Sequence, residues 1–206
     1  MRLDRLQAAT LCRDPFDYLY VPEIVEPSGL AEIVRDFPEV PAGGSFDVAA
    51  LESGPAFQRL IADMRADRFR ELFEAKFELD LTPFPLHITV RGHVRGRDGG
   101  IHTDSREKIL TGLLYLNPEW KEAGGRLRLL RDRGNIDSYA LEVAPVAGNM
   151  VAFRRGEKSW HGHLPSIGRR LSIQFNWVVD NSYIQRELKR HRFSGWLKRL
   201  SGAARA

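Results

Sequence analysis

The chain has 206 residues, 43% of them apolar and 10% aromatic, enough to bury one sizeable core and too few to argue for two unrelated domains. Its formal charge of +4 is unevenly placed: residues 183–206 carry seven Lys or Arg against the one acid Glu187, so the body is slightly acidic and the tail basic. The lone Cys12 excludes an intrachain disulfide, residues 1–10 hold no apolar run of signal-peptide length, and no stretch approaches about 18 apolar residues, so the expected location is cytoplasmic.

Residues 1–85 read as a mainly helical segment. Pro27, Ser28 and Gly29 precede Leu30, Ile33, Val34 and Phe37 at helical spacing, and Pro38, Pro41, Gly43 and Gly44 stop that element. A second helix is predicted from Asp67 to Phe77, where Phe69, Leu72, Phe73 and Phe77 form an apolar stripe suited to packing on a sheet. From Leu86 the period changes. Runs with β character at 86–91, 109–116, 126–130, 139–143, 150–154, 160–164 and 170–179 are separated by turns such as Asp98-Gly99-Gly100 and Arg133-Gly134-Asn135. The expected fold is α+β, mainly β: a double-stranded β-helix (jelly roll) over 86–182, with the N-terminal helices on one face and 183–206 as a basic amphipathic C-terminal helix.

The last predicted strand alternates strictly. Arg170, Ser172, Gln174 and Asn176 fall on one face, and Leu171, Ile173, Phe175 and Trp177 on the other. The polar face either meets water or lines the inside of the jelly roll, and the alternation alone weighs these equally.

Two segments carry chemistry. His102 and Asp104 are one residue apart, so on an extended segment both project to the same face and can converge on one ion. His161 or His163, from a distant strand, would add a second imidazole. Three protein ligands on one face of an octahedral ion leave positions open for other groups, whereas a structural zinc site closes its coordination with a fourth.

Residues 102–177 resemble the catalytic core of the Fe(II)/2-oxoglutarate-dependent dioxygenases, in the prolyl 4-hydroxylase-like branch. The resemblance rests on His102-Thr103-Asp104, Tyr115-Leu116-Asn117, Trp120, Gly124-Gly125-Arg126-Leu127, Pro145 to Gly148, Met150 to Phe153, His161 and Arg170, in that order. It implies His102, Asp104 and His161 as iron ligands, Arg170 as the salt-bridge partner of the distal carboxylate of 2-oxoglutarate, and Tyr115 as a hydrogen-bond donor to it. His161 is preferred over His163 for its spacing to Pro165 and Arg170, and Arg170 over Arg169 because it lies in phase with the polar face. The implied cofactor and cosubstrates are Fe(II), 2-oxoglutarate and O2, and the implied reaction is hydroxylation coupled to formation of succinate and CO2.

The other charged and aromatic residues receive plainer readings. His87 and His93 read as surface or hydrogen-bonded histidines, and His191 as part of the tail. Arg91, on the strand entering the site, is read by default as solvated, with substrate or the inner carboxylate of the cosubstrate as the alternative. The tail suits packing on the core first, and an anionic membrane surface or an acidic partner second; one basic segment without stacking platforms gives little support to nucleic-acid binding. The substrate class stays open among small molecules, saccharides, lipid precursors and peptides. The rival function is a metal-binding jelly roll without oxygenase turnover, a binding module or a hydrolase, for which a dicarboxylate clamp has no use.

Overall fold

The computed structural model describes residues 1–189. In chain order the elements are α1 (Leu3–Ala8), β1 (Tyr18–Val21), α2 (Pro27–Arg35), β2 (Phe46–Asp47), a 3-10 turn (Val48–Ala50), α3 (Pro55–Arg65) and α4 (Asp67–Phe77). Seven strands follow: β3 (Leu86–Val94), β4 (Lys108–Tyr115), β5 (Leu127–Leu130), β6 (Tyr139–Val143), β7 (Met150–Arg154), β8 (His161–Gly162) and β9 (Gly168–Val178). Residues 181–189 are helical, and the rest of the expected basic helix, 190–206, lies outside the described residues. Among the described residues no helix is long and apolar enough to cross a membrane.

Local chemistry sets the helix ends. Pro27 and Pro55 open α2 and α3, where a missing N–H costs no intrahelical bond. α4 ends where Glu78 turns left-handed at φ 54°.

The strands form a six-stranded sheet in the order β1-β7-β4-β9-β3-β2 and a three-stranded sheet in the order β6-β5-β8, with antiparallel pairing throughout both. The alternation of β9 decides how the larger sheet is used. Leu171, Ile173, Phe175 and Trp177 point to the helical side, where Phe69 of α4 lies 5.4 Å from Phe175 and Phe73 lies 5.2 Å from Trp177, ring centre to ring centre. Leu60, Ile61 and Met64 of α3 join the same core. On the opposite face Tyr115, Val151 and Phe153 pack against Leu127, Leu129 and Val143 of the smaller sheet. Arg170, Ser172 and Asn176 are therefore buried between the two sheets rather than facing water.

Three elements differ from expectation. β1 and β2 lie in the first third, as edge strands pairing with β7 and β3; four and two residues are too short for an alternation to register. The strand expected at 160–164 is only His161–Gly162, because the His163 N–H bonds to Gly99 O, outside the sheet, and Pro165 soon follows.

Candidate metal centre and anion pocket

β8 brings His161 onto the segment that follows β3. The N–H of His102 donates to His161 O at 3.0 Å and the N–H of His161 donates to His102 O at 2.9 Å, a one-residue bridge that sets the two rings 4.3 Å apart. With Asp104 they form a cluster whose ligand-capable atoms all lie within 4.8 Å of one another. His163 lies outside that cluster, beside Gly99.

Each imidazole is aimed from behind. Nδ1 of His102 donates to Gly100 O at 2.8 Å and Nδ1 of His161 donates to Ser159 O at 2.9 Å. Because a carbonyl only accepts, Nδ1 holds a proton in both rings, which leaves Nε2 as the ligand atom of the neutral tautomer. Asp104 receives Lys108 Nζ on Oδ1 at 2.7 Å and Thr111 Oγ1 on Oδ2 at 2.6 Å. Burial by itself would raise the Asp104 carboxyl; Lys108, His161 and the two hydrogen bonds outweigh it and hold the group down at about 2. Burial dominates at His161 and pushes it down to about 4, against the pull of Asp104. At neutral pH the cluster is thus one carboxylate and a neutral His161, a protonation state ready to receive a cation.

A second group of polar side chains lies on the same inner face. Arg170 is 5% exposed; its Nε donates to Gly125 O at 2.9 Å and its Nη2 to the Tyr115 hydroxyl at 3.3 Å. Burial raises the Tyr115 phenol, so it remains a donor. Arg169, one residue off phase, is exposed. The Gly124-Gly125 pair explains how a backbone carbonyl reaches the guanidinium. A Cβ on Gly124 would sit 1.9 Å from Pro165 O, and Gly125 has φ +75° with Trp120 directly behind it.

Several residues here were not among the site residues predicted from sequence. Ser172 pairs in register with Tyr115 on one side and Arg91 on the other, and its fully buried Oγ has no hydrogen-bond partner among the described residues. The spacing Arg170-x-Ser172 on an alternating strand was the available signal. Lys108, four residues after Asp104, gave no signal separable from a surface lysine. Arg91, read by default as solvated, has a side chain only 30% exposed; the inner polar face of β9 draws its strand partner inward. His87, read as a surface or hydrogen-bonded residue, is buried and lies 3.1 Å from Asp47 Oδ2; His93 is exposed, and His191 lies outside the described residues.

Residues 88–178 match the family model described as the 2OG-Fe(II) oxygenase superfamily. No curated protein matches the chain. Among solved structures, a Pseudomonas putida prolyl-4-hydroxylase is similar with a TM-score of 0.59 and 20% identity, covering 87% of this chain and 100% of that one. The collagen prolyl hydroxylase of Paramecium bursaria Chlorella virus-1 gives 0.55 and 12% identity, over 83% and 93%. A Trichoplax adhaerens prolyl hydroxylase, in complex with a hypoxia inducible factor oxygen degradation domain peptide fragment, gives 0.54 and 14% identity over 78% and 83%. At these identities the likeness is one of fold.

Proposed function

We propose that this chain, a 2-oxoglutarate-dependent dioxygenase whose residues 88–178 form a 2OG-Fe(II) oxygenase domain, is a hydroxylase acting through His102, Asp104 and His161 as iron ligands. The donor set fits the metal: two imidazole Nε2 atoms and one carboxylate oxygen are the ligands of an open Fe(II) site, and both rings are already fixed by their Nδ1 bonds. When bound, Fe(II) with 2-oxoglutarate and dioxygen supplies oxidative decarboxylation to succinate and CO2, coupled to hydroxylation of a substrate.

The protein contributes placement and polarity. Arg170 offers its guanidinium to the distal carboxylate of 2-oxoglutarate, with the Tyr115 hydroxyl as a second donor and the partnerless Ser172 hydroxyl as a third. Lys108 and Thr111 hold the Asp104 carboxylate in orientation. Phe153, 4.7 Å from His161 ring to ring, shields that side from water. The observation that carries this reading is the buried Arg170–Tyr115 pair on the same inner face as the His-Asp-His cluster, since a metal-binding module without turnover has no use for a dicarboxylate clamp.

Finer readings go with it. The two sheets form a double-stranded β-helix, the chain is one domain with a core over 86–182, and the substrate is a peptide or a small molecule. The similar Trichoplax adhaerens protein, which binds a peptide fragment, supports the peptide class. The test is succinate formation from 2-oxoglutarate without added substrate. Iron-loaded protein forms it only in the presence of oxygen, and chelation abolishes it; succinate formed equally by chelated protein would reject the assignment.

A further inference from the structure

We propose that Arg91 is a specificity residue selecting a substrate that carries an oxyanion, a carboxylate or a phosphate. The inference rests on the oxygenase reading above and deepens it. Arg91 enters the pocket on β3, in register with Ser172 and thus in the same cross-strand row as Tyr115. Its one hydrogen bond among the described residues is a long one, Nη2 to Asp98 Oδ2 at 3.3 Å. Asp98 itself is committed elsewhere: the Arg95 backbone N–H, Nε and Nη2 all donate to its carboxylate at 3.0 to 3.4 Å. A guanidinium has five N–H donors; most of those of Arg91 have no protein partner among the described residues, and none of its nitrogens is among the buried unpartnered atoms, so they are open to a ligand.

Charge points the same way. Around the two sites, in the ion pairs and hydrogen bonds of the described residues, Arg91, Arg95, Lys108 and Arg170 stand against Asp98 and Asp104; Arg155, whose Nε reaches the Asp104 carbonyl, is paired with Glu157. A divalent metal and a dianionic cosubstrate cancel each other, so loading the site leaves the positive excess in place. The distal carboxylate of 2-oxoglutarate is already answered by Arg170, Tyr115 and Ser172. Burial lowers the Arg91 guanidinium, and Asp98 only partly offsets that, while Arg170 adds repulsion. An anionic group on the substrate offsets both the burial and the Arg170 repulsion by opposite charge, and a fork-shaped donor suits it by geometry as well. His163, beside the same groups, is held neutral by burial and takes no part in the charge balance.

The test uses full-length protein loaded with Mn(II) and saturating 2-oxoglutarate, at low ionic strength. Acetate, methyl phosphate and the neutral isostere acetamide are titrated in, and the relaxation of their methyl protons by Mn(II) is followed by NMR. At least one anion saturates at a concentration tenfold or more below acetamide; the tighter of the two assigns the substrate to the carboxylate or the phosphate class. Arg91→Gln weakens that anion at least tenfold, and Arg91→Lys recovers part of the loss. Acetamide binding as tightly as both anions, or unchanged anion binding in Arg91→Gln, overturns the proposal. A rise of tenfold or more in the 2-oxoglutarate Kd of Arg91→Gln overturns it too, by assigning Arg91 to the cosubstrate. Failure of 2-oxoglutarate to bind wild-type Mn(II) protein is a different result, because it removes the oxygenase reading beneath the proposal.

Discussion

Replacing Arg170 with methionine isolates the interaction on which the cosubstrate assignment depends. The side chain is buried, is aimed by Gly125 O and lies 3.3 Å from the Tyr115 hydroxyl, so a carboxylate bound there is desolvated and has no water to replace the lost donor. Truncating one partner of such a buried charged pair costs about 2–5 kcal/mol. Taking about 3 kcal/mol, the 2-oxoglutarate requirement rises by about 150-fold. Arg170→Lys keeps the charge but loses the fork, and a loss of about 1.4 kcal/mol corresponds to about tenfold. The assay is the 2-oxoglutarate dependence of succinate formation, paired with direct binding to the Mn(II)-loaded protein. Thermal unfolding is measured alongside, because the Gly125 carbonyl also loses its donor at about 1 kcal/mol. A folded Arg170→Met variant whose 2-oxoglutarate requirement moves by less than threefold refutes the argument.

Two further outcomes follow from buried groups. Ser172→Ala removes a hydroxyl that has no protein partner among the described residues, so the free protein keeps or gains stability in urea unfolding while 2-oxoglutarate binds about fivefold more weakly, the worth of about 1 kcal/mol for one neutral donor; loss of stability without a change in binding would show the hydroxyl to be structural. In the metal-free protein His161 titrates at about 4, below its ordinary 6.5. The unfolded chain therefore binds a proton between those values that the folded chain refuses, and stability present above pH 6.5 falls by about 3 kcal/mol as the pH drops towards 4. Chelated wild type and His161→Gln, compared by denaturant unfolding from pH 7 to 4.5, differ in that slope. Parallel profiles contradict the burial argument.

How much of this could be read from residues alone varies with the length of the pattern. β9 was legible because the eight residues Arg170–Trp177 alternate without a break, and the structure resolves which face is inside: Phe175 and Trp177 meet Phe69 and Phe73 of α4, so the polar residues lie between the sheets. α4 was legible from its phenylalanine stripe. α3 carries a comparable stripe in Phe57, Leu60, Ile61 and Met64 and went unread, while β1 and β2 are strands only because β7 and β3 lie beside them. At the site, His102 and Asp104 share a face by local spacing, and His161 joins them through a single backbone bridge that no periodicity encodes. Lys108, Ser172 and the inward turn of Arg91 depend on three-dimensional neighbours, which is why a side chain read as solvated proves to be mostly covered.

The oxygenase reading stands or falls on whether the His102, Asp104 and His161 cluster holds catalytic iron. Anaerobically purified, iron-loaded wild type and Asp104→Ala, supplied with 2-oxoglutarate and air, test it by quantifying succinate and bound iron. The expected result is succinate matching the 2-oxoglutarate consumed in wild type, and neither stable iron nor succinate in the variant. Full succinate formation by iron-loaded Asp104→Ala would show that the carboxylate is not an iron ligand.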